Sequence, residues 1–180
     1  MSEPKRAPVT VQARRKAVEQ ALIQLARTME QLEIAVADFP PDFDLTAFSQ
    51  AWYSKSPEER NRAMLVRSNM DDLHNLCQGL IDRSVRVAQD LGAIPADRKT
   101  PAADQLRRHG LYPEDTRLVM HEVVDLRNAS QHEYWVLGPE DVHAAVNNQR
   151  QRLPAFIAAI GEWIERLPAP SSLSGTSTLE

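Results

Sequence analysis

Apolar residues recur along this chain at steps of three, four and seven. That period, rather than the alternation of a half-buried strand, predicts an all-helical protein. From Thr10 to Val36 the positions Val11, Val18, Leu22, Leu25, Met29, Leu32 and Val36 trace one stripe. Thr10 is the expected N-cap. Phe39-Pro40-Pro41 stops the helix, because proline has no amide to donate and restricts the residue before it. Leu45 to Tyr53 forms a short helix that carries Phe48 and Trp52 one turn apart. Ser56-Pro57-Glu58-Glu59 combines a cap, a first-turn proline and early acids, so a long helix starts there. Met64, Leu65, Met70, Leu73, Leu76, Cys77, Leu80, Ile81, Val85 and Leu91 form its apolar face. Gly92 is the expected left-handed residue that closes it. Gly79, inside this helix, marks either a close helix contact or a tolerated defect.

Residues 93–100 read as a loop, and Pro101 to Arg108 as a short helix ending at Gly110. Pro113-Glu114-Asp115 opens the next helix, whose buried face holds Leu118, Val119, Val123, Val124 and Leu126 and which frays near Tyr134, ahead of Gly138-Pro139. Pro139-Glu140-Asp141 starts a last long helix. Its stripe is Val142, Val146, Leu153, Phe156, Ile157, Ile160, Trp163, Ile164 and Leu167, with a kink expected at Pro154. No strand pair with hairpin chemistry is present. The predicted fold is therefore all-α, an up-and-down bundle of four main helices with short accessory helices. Residues 1–9 are expected to be a flexible arm, 10–167 a single helical domain, and 168–180, rich in Pro, Ser, Thr and Gly, a disordered tail.

Composition narrows the function classes. A chain of 180 residues with 42% hydrophobic and 26% charged residues can bury a core without staples. The longest apolar runs, such as Leu153 to Ile160, fall far short of the roughly 20 residues that a membrane span needs. With no apolar signal core near the start, a cytoplasmic location is expected. The single cysteine, Cys77, excludes an internal disulfide and a Cys-rich zinc site, and is expected to be a core thiol. The net charge of −4 argues against nonspecific coating of nucleic acid, which basic charge drives, but leaves room for a local basic site. His74, His109, His121 and His143 lack paired metal spacing and are expected to be surface or satisfied residues. Arg14-Arg15-Lys16 and Arg107-Arg108-His109 are expected to be solvated faces, the second with a secondary reading as an RNA-steering cluster.

The segment Arg127-Asn128-Ala129-Ser130-Gln131-His132-Glu133-Tyr134 stands out. With 17 Arg and 5 His in the chain, an arginine five residues before a histidine arises by chance about half the time. Requiring Asn after the Arg and Tyr two after the His lowers that expectation to roughly a few in ten thousand. The pattern R-N-x-x-x-H-x-Y, here Arg127, Asn128, His132 and Tyr134, resembles the signature of HEPN proteins, specifically the HepT-like toxins paired with minimal nucleotidyltransferase (MNT) antitoxins. The resemblance extends from about Met64 through Trp163: a long helix, loop, short helix, motif helix, Gly-Pro break and final helix.

On a helix Asn128 and His132 share a face, whereas Arg127 and His132 project about 140° apart. Either the helix unwinds near His132, or two copies meet so that their motifs share a cleft. The resemblance implies the second, a homodimer with both motifs at its interface. It also implies an endoribonuclease that works without a metal or other cofactor and yields a 2′,3′-cyclic phosphate. A histidine titrating near neutrality can move protons, and an arginine fork can hold a phosphate and its transition state. His132 and Arg127 are accordingly the expected catalytic residues, with Asn128 and Tyr134 supporting them or binding RNA. The resemblance further implies Tyr134 as a site where the MNT partner attaches AMP. Two other readings stay open. One is a non-catalytic HEPN module that binds a nucleotidyltransferase or nucleotide. The other is a structural bundle in which Arg127 and His132 merely serve a helix end, with Tyr134 and Trp135 in the core.

Overall fold

In the computed structural model, described over residues 10–97, 99–109 and 137–166, the predicted starts at Thr10 and Ser56 carry their caps. Helix α1 (Val11–Val36) begins at Thr10, whose hydroxyl accepts the Ala13 amide at 3.2 Å. Helix α2 (Leu45–Trp52) begins at Asp44, whose carboxylate accepts the Ala47 amide at 2.7 Å. Helix α3 (Pro57–Asp90) has Ser56 as its cap and Pro57 in its first turn. It closes as predicted. Gly92, at φ +69°, turns the chain so that the Ala93 amide donates to the Ala88 carbonyl at 2.9 Å and the Gly92 amide to that of Gln89 at 3.0 Å, a Schellman pairing. Helix α4 (Ala102–Arg108) is short. Helix α5 (Pro139–Arg166) starts with the Asp141 carboxylate reaching back to the Gly138 amide at 3.0 Å, half of a capping box.

One hydrophobic cluster draws on all five helices, with Leu25, Leu32, Phe48, Met70, Leu73, Leu80, Leu106, Leu153, Phe156 and Ile160 among its fully buried members. Its base is an aromatic group: Phe48 meets Phe39, Phe43 and Trp52 with ring centroids 4.9 to 5.7 Å apart. The long helices can be ordered from their side-chain pairs. Arg14 near the start of α1 binds Asp90 at the end of α3 at 3.0 Å, so these two helices are antiparallel. Trp52 lies beside Arg67 and His143 beside Phe43, while His74 meets Gln149 further on, so α3 and α5 start at the same end and run parallel. The described helices therefore comprise three long members, α1, α3 and α5, and two short ones, with no strand among the described residues. This is the all-α, HEPN-like architecture expected. The fourth main helix of the expectation, over 113–134, lies outside the described residues, as do Gly110, the arm 1–9, Leu167 and the tail 168–180.

One local expectation changes and another is narrowed. Leu65 is 51% exposed, because at 100° per residue it falls off the stripe that its neighbour Val66 enters. Among the described residues Gly79 serves no close helix contact: a side chain there would meet only the guanidinium of Arg83, at 3.6 Å. Of the two readings, the tolerated defect is the one that fits. Pro154 lies on the exposed side of α5, and the helix runs on past it to Arg166.

Candidate functional site

The residues expected to carry chemistry, Arg127, Asn128, His132 and Tyr134, lie outside the described residues. What the structure describes is the frame on either side of them. Before the segment stands α4, at the α3 C-terminal end of the bundle. Gln105 fastens it: its amide nitrogen donates to the carbonyls of Asp97 at 2.8 Å and Thr100 at 2.7 Å, and its oxygen accepts from Gln89 of α3 at 3.0 Å. The Asp97 carboxylate caps the same turn, accepting the Lys99 amide at 2.8 Å and the Thr100 amide at 3.2 Å. Hydrogen bonds from the Thr100 side chain and from both backbone amides hold its pKa below the usual carboxylate value. The fastened helix ends in Arg107, Arg108 and His109. Arg107 is half-buried beside Asp104 at 3.9 Å, Arg108 donates to the Thr100 hydroxyl at 3.4 Å, and His109 is exposed. Chain re-entry is at Leu137, next to α5 at the opposite end of the bundle.

Between those ends α3 and α5 share a polar layer. Arg67 is 7% exposed, sits 3.9 Å from Asp71 one turn on, and places its guanidinium 5.6 Å from the centre of the Trp52 ring. Two turns beyond Arg67 lies His74. His74 is fully buried, and Gln149 of α5, itself 3% exposed, donates its side-chain amide to His74 Nε2. Accepting at Nε2 leaves the proton on Nδ1, and that nitrogen has no partner among the described residues; neither has Gln149 Oε1. Burial drives the His74 pKa down from 6.5 to about 4, so the ring is neutral at pH 7. At the start of α5, His143 stacks on Phe43 with centroids 4.7 Å apart and donates from Nε2 to the Phe43 carbonyl at 2.7 Å. That fixes a loop in which Asp42 and Phe43 hold positive φ, and Arg150 secures it further by binding Asp42 and Glu33.

Chemically this frame positions rather than reacts. His74 is sealed from solvent, His143 is committed to a backbone carbonyl, and Cys77, 2% exposed, has its thiol pushed up to about 12 by burial. Cys77 is thus the core thiol expected. Among the described residues no three His, Cys, Asp or Glu side chains are grouped to hold a metal ion. No described helix is long and apolar enough to cross a membrane. Sequence reasoning missed the His74–Gln149 layer, although His74 lies one residue from Leu73 within the apolar stripe and Gln149 lies midway between Val146 and Arg152. A polar residue at a core register was the available signal.

A family model described as Ribonuclease HepT-like matches residues 57–160, more than half of the chain, and encloses the whole Arg127–Tyr134 segment. Comparison with curated proteins and with solved structures gives no match.

Proposed function

Because the chain belongs to the HepT-like ribonuclease family, we propose that it is a metal-independent endoribonuclease toxin, acting on cellular RNA in the cytoplasm and neutralised by a nucleotidyltransferase-type antitoxin. The observation that carries this reading is the position of R-N-x-x-x-H-x-Y inside the matched span 57–160. In the proposed reaction the ribose 2′-oxygen bonds to the adjacent phosphorus and the bond to the 5′-oxygen breaks. The 2′-hydroxyl gives up its proton and the leaving oxygen gains one, which yields a 2′,3′-cyclic phosphate and a 5′-hydroxyl. His132 moves the proton, and Arg127 holds the phosphate as charge builds on it. Asn128 orients His132 from one turn away, and Tyr134 contacts the RNA. Two chains complete the site as a homodimer, since Arg127 and His132 diverge on a single helix. The polar frame fits this division of labour: His74, His143 and Cys77 are buried or committed, so proton transfer falls to a histidine outside that frame, and the motif assigns it to His132.

Tyr134 is the proposed acceptor of AMP from the antitoxin, a change that adds bulk and negative charge where RNA must bind. The test is growth of cells expressing the wild-type chain beside cells expressing His132→Ala. Arrest by the wild type alone, relieved by co-expression of a partner nucleotidyltransferase, is the expected result. Equal arrest by both, with the variant folded, would overturn the assignment of His132.

A further inference from the structure

The antiparallel pairing of α1 with α3 leaves a groove of about 210 Å³ between the first half of α1 and the last half of α3. Its lining is Arg14 and Ala17 from α1 with Arg83 and Arg86 from α3. Asp90 neutralises Arg14 at 3.0 Å. Arg83 and Arg86, both exposed and three residues apart on one face, make no ion pair among the described residues. Arg83 lies along its own helix over Gly79, which presents no side chain beneath the guanidinium. Lys16, exposed on α1, lines a separate depression with Gln12, Gln20 and the Arg15–Glu19 ion pair.

We propose that this groove is a second contact for the RNA backbone, separate from the motif segment, in which Arg83 and Arg86 hold phosphates of the strand being cut. The inference rests on the reading of RNA as the substrate. The lining favours a phosphate chain over other anions. Among the described residues it contains guanidinium groups and one methyl group, with no aromatic ring on which a base could stack and no large apolar side chain to enter a lipid layer. Planar, permanently charged guanidinium groups suit phosphate oxygens. With a net charge of −4 over the whole chain, RNA affinity has to come from local cations of this kind. One wall of the groove, α1, lies before the matched span 57–160, whereas the wall that carries Arg83 and Arg86 lies inside it.

The test uses the full chain carrying His132→Ala, which keeps the probe intact, and a fluorescein-labelled single-stranded RNA of mixed sequence. Affinity is followed by anisotropy across a range of salt concentrations. Adding Arg83→Ala and Arg86→Ala together is expected to weaken binding about tenfold and to flatten the slope of log K against log salt by about 1.4, the loss of two phosphate contacts on a single strand. Arg83→Lys with Arg86→Lys is expected to retain most of the slope. Both positions are exposed, so the helical circular dichroism should not change. An unchanged affinity and slope in the Ala variant would overturn the proposal, as would equal losses in the Ala and Lys variants. The ribonuclease reading is scored separately, by whether wild-type protein cuts the same RNA. RNA that is bound through the groove yet left whole would refute catalysis and leave the groove standing.

Discussion

Acidification should unfold this protein partly through one buried imidazole. His74 is fully buried, accepts at Nε2 from Gln149 and titrates at about 4 instead of its ordinary 6.5, because burial penalises the charged ring. The unfolded chain regains the ordinary value. Above pH 6.5 the ring is neutral in both states and its full contribution is present. As the pH falls from 6.5 to about 4, the unfolded state takes up a proton that the folded state refuses, and stability is lost across that window. Below about 4 this group adds no further loss. At roughly 1.4 kcal/mol per pH unit the loss is about 3 kcal/mol, a large part of a typical stability. Carboxylates titrate in the same range, so the informative quantity is a difference between proteins. Urea unfolding followed by circular dichroism at pH 7 and pH 4 should show wild type losing about 3 kcal/mol more than a His74→Leu, Gln149→Leu double variant. At pH 7 either single substitution strands one buried partner and costs about 1–3 kcal/mol. The double variant removes both partners, including His74 Nδ1 and Gln149 Oε1, which are unpaired among the described residues, and should be near neutral. Equal acid sensitivity of wild type and double variant, or additive losses from the two singles, would refute this account of the α3–α5 layer.

Three further outcomes follow from the fold. Asp44→Ala removes the carboxylate that accepts the Ala47 amide at 2.7 Å, and should lower stability by about 1 kcal/mol in chemical denaturation. Phe156→Ala opens a void at a fully buried position and should cost about 3–5 kcal/mol in the same assay; a loss below 1 kcal/mol would contradict its place in the core. Cys77, with its thiol pushed up to about 12, should resist a thiol-reactive dye in the native protein and react once the chain is unfolded.

The helices were legible in the sequence because their limits are written in local chemistry. Thr10, Ser56-Pro57 and Gly92 act within a few residues of themselves, and the structure places each as a cap or a closing turn. The apolar period found the core for the same reason, since a helical face depends on spacing alone. It failed at Leu65, which is apolar but off the stripe, and it overlooked His74 and Gln149, which are polar but on it. Which of two adjacent residues faces a neighbouring helix is decided by how the helices cross, and that is not a local property. The groove arginines show the same limit. Arg14 read as part of an exposed basic face, yet the antiparallel pairing of α1 and α3 brings it to Asp90 and opposite Arg83 and Arg86, about 70 residues away in the chain. The candidate catalytic segment was legible for a different reason, the improbable spacing of Arg127, Asn128, His132 and Tyr134, and the family match encloses it. Its geometry lies outside the described residues.

The central claim is that Arg127 and His132 cut RNA without a metal. Its most direct measurement is incubation of purified protein with total RNA in excess EDTA, with analysis of the fragments and their 3′ ends. The wild type should cleave and leave 2′,3′-cyclic phosphates, whereas His132→Ala and Arg127→Ala, with helical circular dichroism unchanged, should lose cleavage by at least about a hundredfold. Cleavage by either variant at the wild-type rate, or wild-type cleavage that EDTA abolishes, would contradict it.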